Sequence, residues 1–405
     1  MAVSASVPPK QPWSWRSRAA RSVLYQIIAL GMIGFAIWFL AHNTMLNMRV
    51  RGIQSGFDFL SSPAGFDIGE LLIPYDSNDP YWRAFLVGVI NTLRVAIIGT
   101  VLATLLGTLL GIGRFSRNAL VRGLCSAYVE VFRNVPVLLQ LLMWYLFMTT
   151  ALPGPGDEKS ILGLFFLSNG GLSYPVPVWG PGQALALAGA LAGALLSWLW
   201  ARRARRLFEQ TGRPRPVLWP SLLLIVGGAL AGWGLGGAPT DWNIPAPGTF
   251  SVNGGSSLTP EFLSVLLGLV LYTASYIAEV VRAGIASVPL GQTEAASAIG
   301  LSKGQQMRLV ALPQALRVII PPLTNQFLNL TKNSSLAVAI GYPDVVSISN
   351  TALNQTGRAI ECITIIMAVY LITSLGTSAL MNWTTCWESC TRITWLALGR
   401  MCTNM

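Results

Sequence analysis

Eight apolar stretches recur along this chain, and they restrict it to a bundle of helices embedded in a membrane. They run over Val23–Leu40, Ala84–Ile112, Val135–Leu152, Gln183–Trp200, Val217–Leu235, Phe262–Val281, Ser335–Ser349 and Cys362–Trp383. Hydrocarbon offers no partner to a backbone amide or carbonyl, so a crossing segment must satisfy its own, as a helix does. About 20 residues suffice for the crossing. The second stretch exceeds that length, which implies tilt or a protruding end. The seventh is short and is interrupted by Gly341 and Pro343. Composition agrees: 53% of the 405 residues are hydrophobic and 11% charged, against roughly 25% charged in a soluble domain. The first stretch runs into His42-Asn43 without a small-residue cleavage site, so it reads as a retained span rather than a leader.

Charge orients the bundle. Arg16, Arg18 and Arg21 precede the first span; Arg114, Arg117, Arg122 and Arg133 follow the second; Arg202, Arg203, Arg205, Arg206, Arg213 and Arg215 fill the loop after the fourth. Lys303, Arg308, Arg317 and Lys332 follow the sixth. In an alternating topology all lie on one side. The other side holds Asp58, Asp67, Glu70, Asp76, Asp79, Asp157, Glu158 and Asp241. The positive-inside rule makes the basic side cytoplasmic and places both termini there. The net charge of +11 is thus topological, and its dispersal among loops speaks against a nucleic-acid partner. Within the second span, Gly99, Ala103, Gly107 and Gly111 share one face, and Gly189 and Gly193 repeat the spacing in the fourth; small residues in line predict close helix packing.

The segment after the sixth span is polar and broken, and it must stand outside the bilayer. Glu294 to Ile299 predicts a short helix stopped by Gly300. A second helix starts at Ser302, with Gln305 completing a capping box, and is expected to end near Leu312-Pro313. Another break is expected at Pro321-Pro322. Just before this loop, Glu279 and Arg282 lie three apart and predict an ion pair at the boundary. Ala295 and Ala296 give the elbow a slim tip that fits a groove in a partner; an interfacial elbow with no partner fits equally well on these grounds.

The pattern through Glu294, Ala295, Ala296, Gly300, Val310, Leu312 and Pro313 resembles the EAA loop of bacterial ABC importer permeases, with valine for isoleucine at 310. Tyr272 to Ile285, Glu130 to Gln140, Lys332 to Leu336 and Gly341 to Asp344 resemble segments of the polar amino-acid uptake family. The layout, with Asn354 to Glu361, resembles the general L-amino-acid permease subunit (Aap/Bzt type). The resemblance implies a type I ABC importer transmembrane fold with about eight helices: five core helices, one N-terminal helix and two inserted ones. It divides the chain into 1–83, an N-terminal span and periplasmic segment; 84–152, the first part of the core; 153–258, the insertion; 259–383, the second part of the core, with the coupling loop at 285–322; and 384–405, a tail the family pattern leaves unexplained. It further implies a cytoplasmic ATP-binding subunit dimer that docks the Glu294 helix, a second related permease subunit, a periplasmic amino-acid-binding protein, the bacterial inner membrane as location, and alternating access as mechanism.

The chemistry of the chain points the same way. No Gly-x-x-x-x-Gly-Lys-Ser/Thr loop occurs, so MgATP is expected in a partner and no cofactor here. No His-Glu-x-x-His site occurs, and Cys125, Cys362, Cys386, Cys390 and Cys402 form no zinc pattern. The lone His42 reads as interfacial. Asn325, Asn329 and Asn333 recur every four residues, leading to Ser334. They bind substrate or bond neighbouring helices, since amides are costly in lipid. Arg94, within the second span, either meets a carboxylate of substrate or partner or extends its head to the outer surface. An ion-driven carrier would need acids within the spans; Glu279 and Glu361, near span ends, are the ones noted. A membrane scaffold without transport is the third reading.

Overall fold

The computed structural model describes residues 18–402 apart from 51, 53–54, 155–158, 162, 213–215, 239 and 249–251, with side chains over 21–381 except also at 159, 161, 209 and 218. Arg16, Asp157, Glu158, Arg213 and Arg215, and the side chains of the 384–405 tail, lie outside the described residues.

Helix α1 (Arg18–Val50) is exposed along its apolar length. A loop with one 3-10 turn (Asp58–Ser61) leads to α2 (Tyr81–Gly113), then α3 (Ala119–Asn134) and α4 (Val137–Thr150). Four short strands follow: β1 (Lys159–Ile161), β2 (Phe165–Ser168), β3 (Gly171–Tyr174) and β4 (Val176–Pro177). Helices α5 (Pro181–Thr211) and α6 (Leu218–Leu235) form a hairpin, and β5 (Trp242–Asn243) and β6 (Ser256–Leu258) return the chain to α7 (Pro260–Ala286). Beyond it come α8 (Leu290–Ala298), the single turn α9 (Lys303–Gln305), α10 (Leu312–Asn333), α11 (Val345–Thr356) and α12 (Ala359–Cys402).

Among the described residues, five helices are long and apolar enough to cross a membrane: α1, α2, α5, α7 and α12. Two bent pairs also qualify when each is taken together, α3 with α4 at 104° and the Lys303–Ile340 stretch with α11 at 50°, and α6 is a shorter apolar helix. Every apolar stretch of the sequence therefore has a helical counterpart, but the seventh is not one helix. A 3-10 turn (Ser334–Ile340) ends at Gly341, whose φ of +80° reverses the chain before Asp344 starts α11. Asp344 is a fully buried acid inside that stretch which the sequence reading passed over. It caps α11, its Oδ1 accepting from the Ser347 amide at 2.8 Å.

The strands are the second difference. They order as β1-β2-β3-β6, with β4 paired to β5, and they clasp the two ends of the insertion. Tyr174 lies opposite Ser256, and Leu172 opposite Leu258. Strands this short carry too little alternation to read from the sequence.

Small residues set the core. A Cβ on Gly107 would lie 2.7 Å from Ile277 Cβ and 2.8 Å from the Ala274 carbonyl oxygen. One on Gly111 would lie 2.8 Å from the Ala278 carbonyl, and Ala103, one turn before Gly107, is fully buried. The small-residue face of α2 is thus the seam against α7, as its spacing predicts. Gly189 and Gly193 face the Gly228 and Leu224 carbonyls of α6 in the same manner. One buried cluster joins Val95, Leu141, Leu269, Ile277, Ile319 and Tyr342 across α2, α4, α7, α10 and the span break. A second joins the loop before α2 to α11, through Phe59, Tyr81, Phe85, Val345 and Ile348.

Candidate functional site

Helix α7 delivers the polar loop. Ser287 caps it, Pro289 opens α8, and α8 ends in a Schellman turn: the Gly300 amide donates to the Ser297 carbonyl at 3.0 Å, and the Leu301 amide to the Ala296 carbonyl at 3.1 Å. Gly300 stands at φ +79°, a conformation that glycine takes without steric cost. Ser302 then starts the next turn with the expected capping box, its amide donating to Gln305 Oε1 at 2.9 Å. Gln306 ties the two pieces together, donating through Nε2 to Ser297 Oγ at 3.0 Å and to the Leu301 carbonyl at 2.7 Å. Gln292 and Gln314 close the base of the elbow.

The tip of the elbow is open. Glu294, Ala295 and Gly300 are exposed, while Ala296 turns inward and is buried. The second arm departs from expectation. It does not end at Leu312-Pro313: a π-turn (Gln306–Ala311) leads straight into α10, with Pro313 in its first turn. Proline there lacks only an amide that a first turn leaves unpaired in any case. Nor do Pro321 and Pro322 break the chain; both lie inside α10, which continues to Asn333. Packing on α7 outweighs the lost bonds: Ile319 fills the space opposite Gly284, and both Ala315 and Ile319 are buried.

Directly behind the elbow, Glu279 and Arg282 form the expected pair, Arg282 Nε donating to Glu279 Oε1 at 3.1 Å. Two further cations join it that the sequence reading had assigned only to topology. Arg114 at the end of α2 bonds the same carboxylate, and Arg133 of α3 approaches to 3.8 Å. Arg133 also lies over the Tyr276 ring, 5.2 Å from its centroid. The signal for this was faint: Arg114 and Glu279 are 165 residues apart, and only the α2–α7 seam brings them to one level.

The polar residues of the spans separate into two groups. Asn325 and Asn329 are exposed on α10, Asn333 is half-buried, and Ser334 is buried, its hydroxyl donating to the Thr331 carbonyl at 2.7 Å. Arg94 is elsewhere. It finds a carboxylate within its own chain, bonding Glu70 of the loop before α2, and its guanidinium lies 4.1 Å from the Phe262 ring centroid. The pair is buried, with 13% of the arginine side chain and 5% of the glutamate exposed, so Arg94 does not extend to the surface. Asn91 braces the same loop, donating to the Glu70 carbonyl at 3.1 Å and to the Pro343 carbonyl at 3.0 Å.

Two hollows open beside this pair. One of about 310 Å³ lies among Asp67, Glu70, Thr259, Glu261, Pro343 and Ser347. Its neighbour of about 350 Å³ shares Gly69, Glu70 and Thr259 and reaches β3 and β6. Among the described residues no group of histidines, cysteines and acids is arranged to hold a metal ion.

Known proteins are similar to this chain in sequence. The family model of the binding-protein-dependent transport system inner membrane component matches residues 99–384. The general L-amino acid transport system permease protein AapQ of Rhizobium johnstonii is 46% identical over 92% of this chain and 94% of its own. The putative amino-acid ABC transporter permease protein YhdX of Escherichia coli K12 is 46% identical over 91% and 94%. The glutamate/glutamine/aspartate/asparagine transport system permease protein BztB of Rhodobacter capsulatus is 39% identical over 89% and 92%. A family model across most of the chain, relatives alike over nearly all of it, and helices built to span lipid together place the chain in the family of binding-protein-dependent transport system inner membrane components.

Proposed function

We propose that the chain is the permease subunit of an importer that moves amino acids across the bacterial inner membrane by alternating access, driven by ATP hydrolysis in a separate cytoplasmic subunit dimer. The supporting observation is the elbow: a short helix opened by Pro289, closed by a Schellman turn and tied to the following arm through Gln306 and Gln314, with Glu294 and Ala295 offered outward. A rigid element carries a push, whereas a loop absorbs it. Movement of Glu294 is transmitted to α7 through Pro289 and to α10 through the π-turn, and these two helices belong to the central cluster.

In this reading the elbow and both termini face the cytoplasm, MgATP sits in the partner, and Leu312 and Pro313 set the angle at which the elbow meets α10. Asn325, Asn329, Asn333 and Ser334 lead from the elbow toward the span break and border the substrate route. A periplasmic amino-acid-binding protein delivers cargo at the acidic side, near the hollows around Glu70, where Arg94 holds the loop in place. A second, related permease subunit supplies the other half of the route. The core spans 84–152 and 259–383, the 1–83 and 153–258 segments flank it, and the 384–405 tail has no role assigned.

The test is a reconstituted complex with the ATPase and binding protein. Glu294→Ala and Gly300→Val are expected to lower ATP-driven amino-acid uptake at least tenfold while membrane insertion persists. Full uptake by both variants, or uptake without an ATPase, would overturn the reading.

A further inference from the structure

We propose that the cleft between α3, α7 and α10 holds one anionic phospholipid, its phosphate at Arg133 and Arg282 and its acyl chain along Val280 and Val318. Three guanidiniums, from Arg114, Arg133 and Arg282, share the single carboxylate of Glu279. Glu130, the one acid of α3, is exposed and makes no ion pair among the described residues. The cluster therefore carries excess positive charge, and the arginines on its open side, Arg133 and Arg282, each keep 38% of their side chain accessible. A guanidinium has five donors in a planar fork, and one shared carboxylate cannot occupy fifteen.

The cleft beside Arg133 is about 240 Å³ and is floored by Val280, Ala283, Gly284, Val318 and Pro322, with Arg282 at its rim through its bond to Glu279. Its place in the fold is the end of the spans: Arg114 caps α2, and Arg282 precedes the end of α7 by one turn. Basic charge over an apolar cleft at that depth matches a phosphate above its own hydrocarbon, and basic pockets between helices at a membrane face bind anionic headgroups. A soluble amino acid fits less well, because Glu279, the one acid in the lining, is already engaged by three arginines that its ammonium group would have to displace. The site also bridges the two helices that flank the elbow, so its occupant braces α7 against α10.

The test is native mass spectrometry of the full chain released from nanodiscs of equal phosphatidylglycerol and phosphatidylcholine. One phosphatidylglycerol is expected to stay bound in preference to phosphatidylcholine. Arg133→Gln removes the weakest partner of Glu279, leaving Arg114 and Arg282 in place, and is expected to lower that retention about fivefold. Val318→Trp fills the cleft with every charge kept and is expected to lower it as well, which keeps the test decisive where the arginine variant folds poorly. Equal retention of the two lipids, undiminished phosphatidylglycerol on both variants, or its release by millimolar inorganic phosphate or L-glutamine would overturn the proposal. The last result would assign the cleft to a soluble anion.

Discussion

Single residues decide two close contacts in this protein, one backbone and one electrostatic. Gly300 is required by its φ of +79°. A valine there adopts a left-handed conformation at a cost of about 1–2 kcal/mol, so Gly300→Val is expected to unravel the end of α8. Hydrogen exchange of the Ala298–Leu301 amides would reveal it as lost protection, and unchanged protection would contradict it. Arg94 and Glu70 are the electrostatic case. Removing one member of a buried pair strands the other, typically at about 3–5 kcal/mol. Arg94→Met alone should therefore lower thermal stability in detergent far more than the double change Arg94→Met with Glu70→Met. Equal losses would mean that the pair contributes no coupling. The sequence displayed Arg94 as an isolated cation in a span; it could not show Glu70, because the intervening loop folds back without any periodic pattern to read.

At the scale of elements, the decisive relation is which helix ends meet. The loop after α1 is tied to the start of α12: Arg358 donates to both carboxylate oxygens of Asp58, at 3.0 and 3.1 Å, and Glu361 Oε1 accepts from the Gly56 amide at 2.6 Å. The Arg358 guanidinium holds the Asp58 carboxyl below the usual aspartate range. A carboxyl whose value is lowered on folding stabilises above its unfolded value, about 3.9, and loses that contribution as pH falls through the folded value. Thermal midpoints measured between pH 6 and pH 3 should thus fall more steeply for the native chain than for Asp58→Asn. Parallel curves would exclude the clasp as a pH-dependent contribution. The elbow offers a second case at this scale. Ser302→Ala deletes the capping hydroxyl at about 1 kcal/mol and should speed exchange in Lys303–Ala311 while leaving α7 unchanged. The caps were legible because they are local: Ser302 and Gln305 lie three residues apart. The continuation of α10 past three prolines was not, because it depends on Ile319 meeting Gly284 on another helix, and packing overrides propensity.

For the whole molecule, small residues in line made the packing faces legible but not their partners. Gly107 and Gly111 of α2 meet α7, and Gly189 and Gly193 of α5 meet α6. What spacing alone could not show is that the second pair stands aside. Among the described residues α5 and α6 pack extensively on each other, and no other helix packs comparably on either. Their chain enters and leaves through neighbouring strands, with Tyr174 opposite Ser256. Paired residues of an antiparallel ladder sit about 4.5–5.5 Å apart, a gap that a two-residue Asn-Gly turn closes. Excising residues 175–255 and joining Tyr174 to Ser256 through Asn-Gly should therefore leave the α2–α7 seam intact. The shortened protein is expected to insert, to purify as a monodisperse species and to keep its thermal midpoint within about 2 °C of the native value, a window that corresponds to roughly 1–2 kcal/mol in a chain of this size. Aggregation, or a much lower midpoint, would show that the hairpin supports the core. Comparing the shortened chain with one carrying Gly107→Val separates the two kinds of seam. The valine sets a Cβ against the Ala274 carbonyl inside the core, where overpacking costs about 1–3 kcal/mol, and it should destabilise the protein more than the removal of two entire helices.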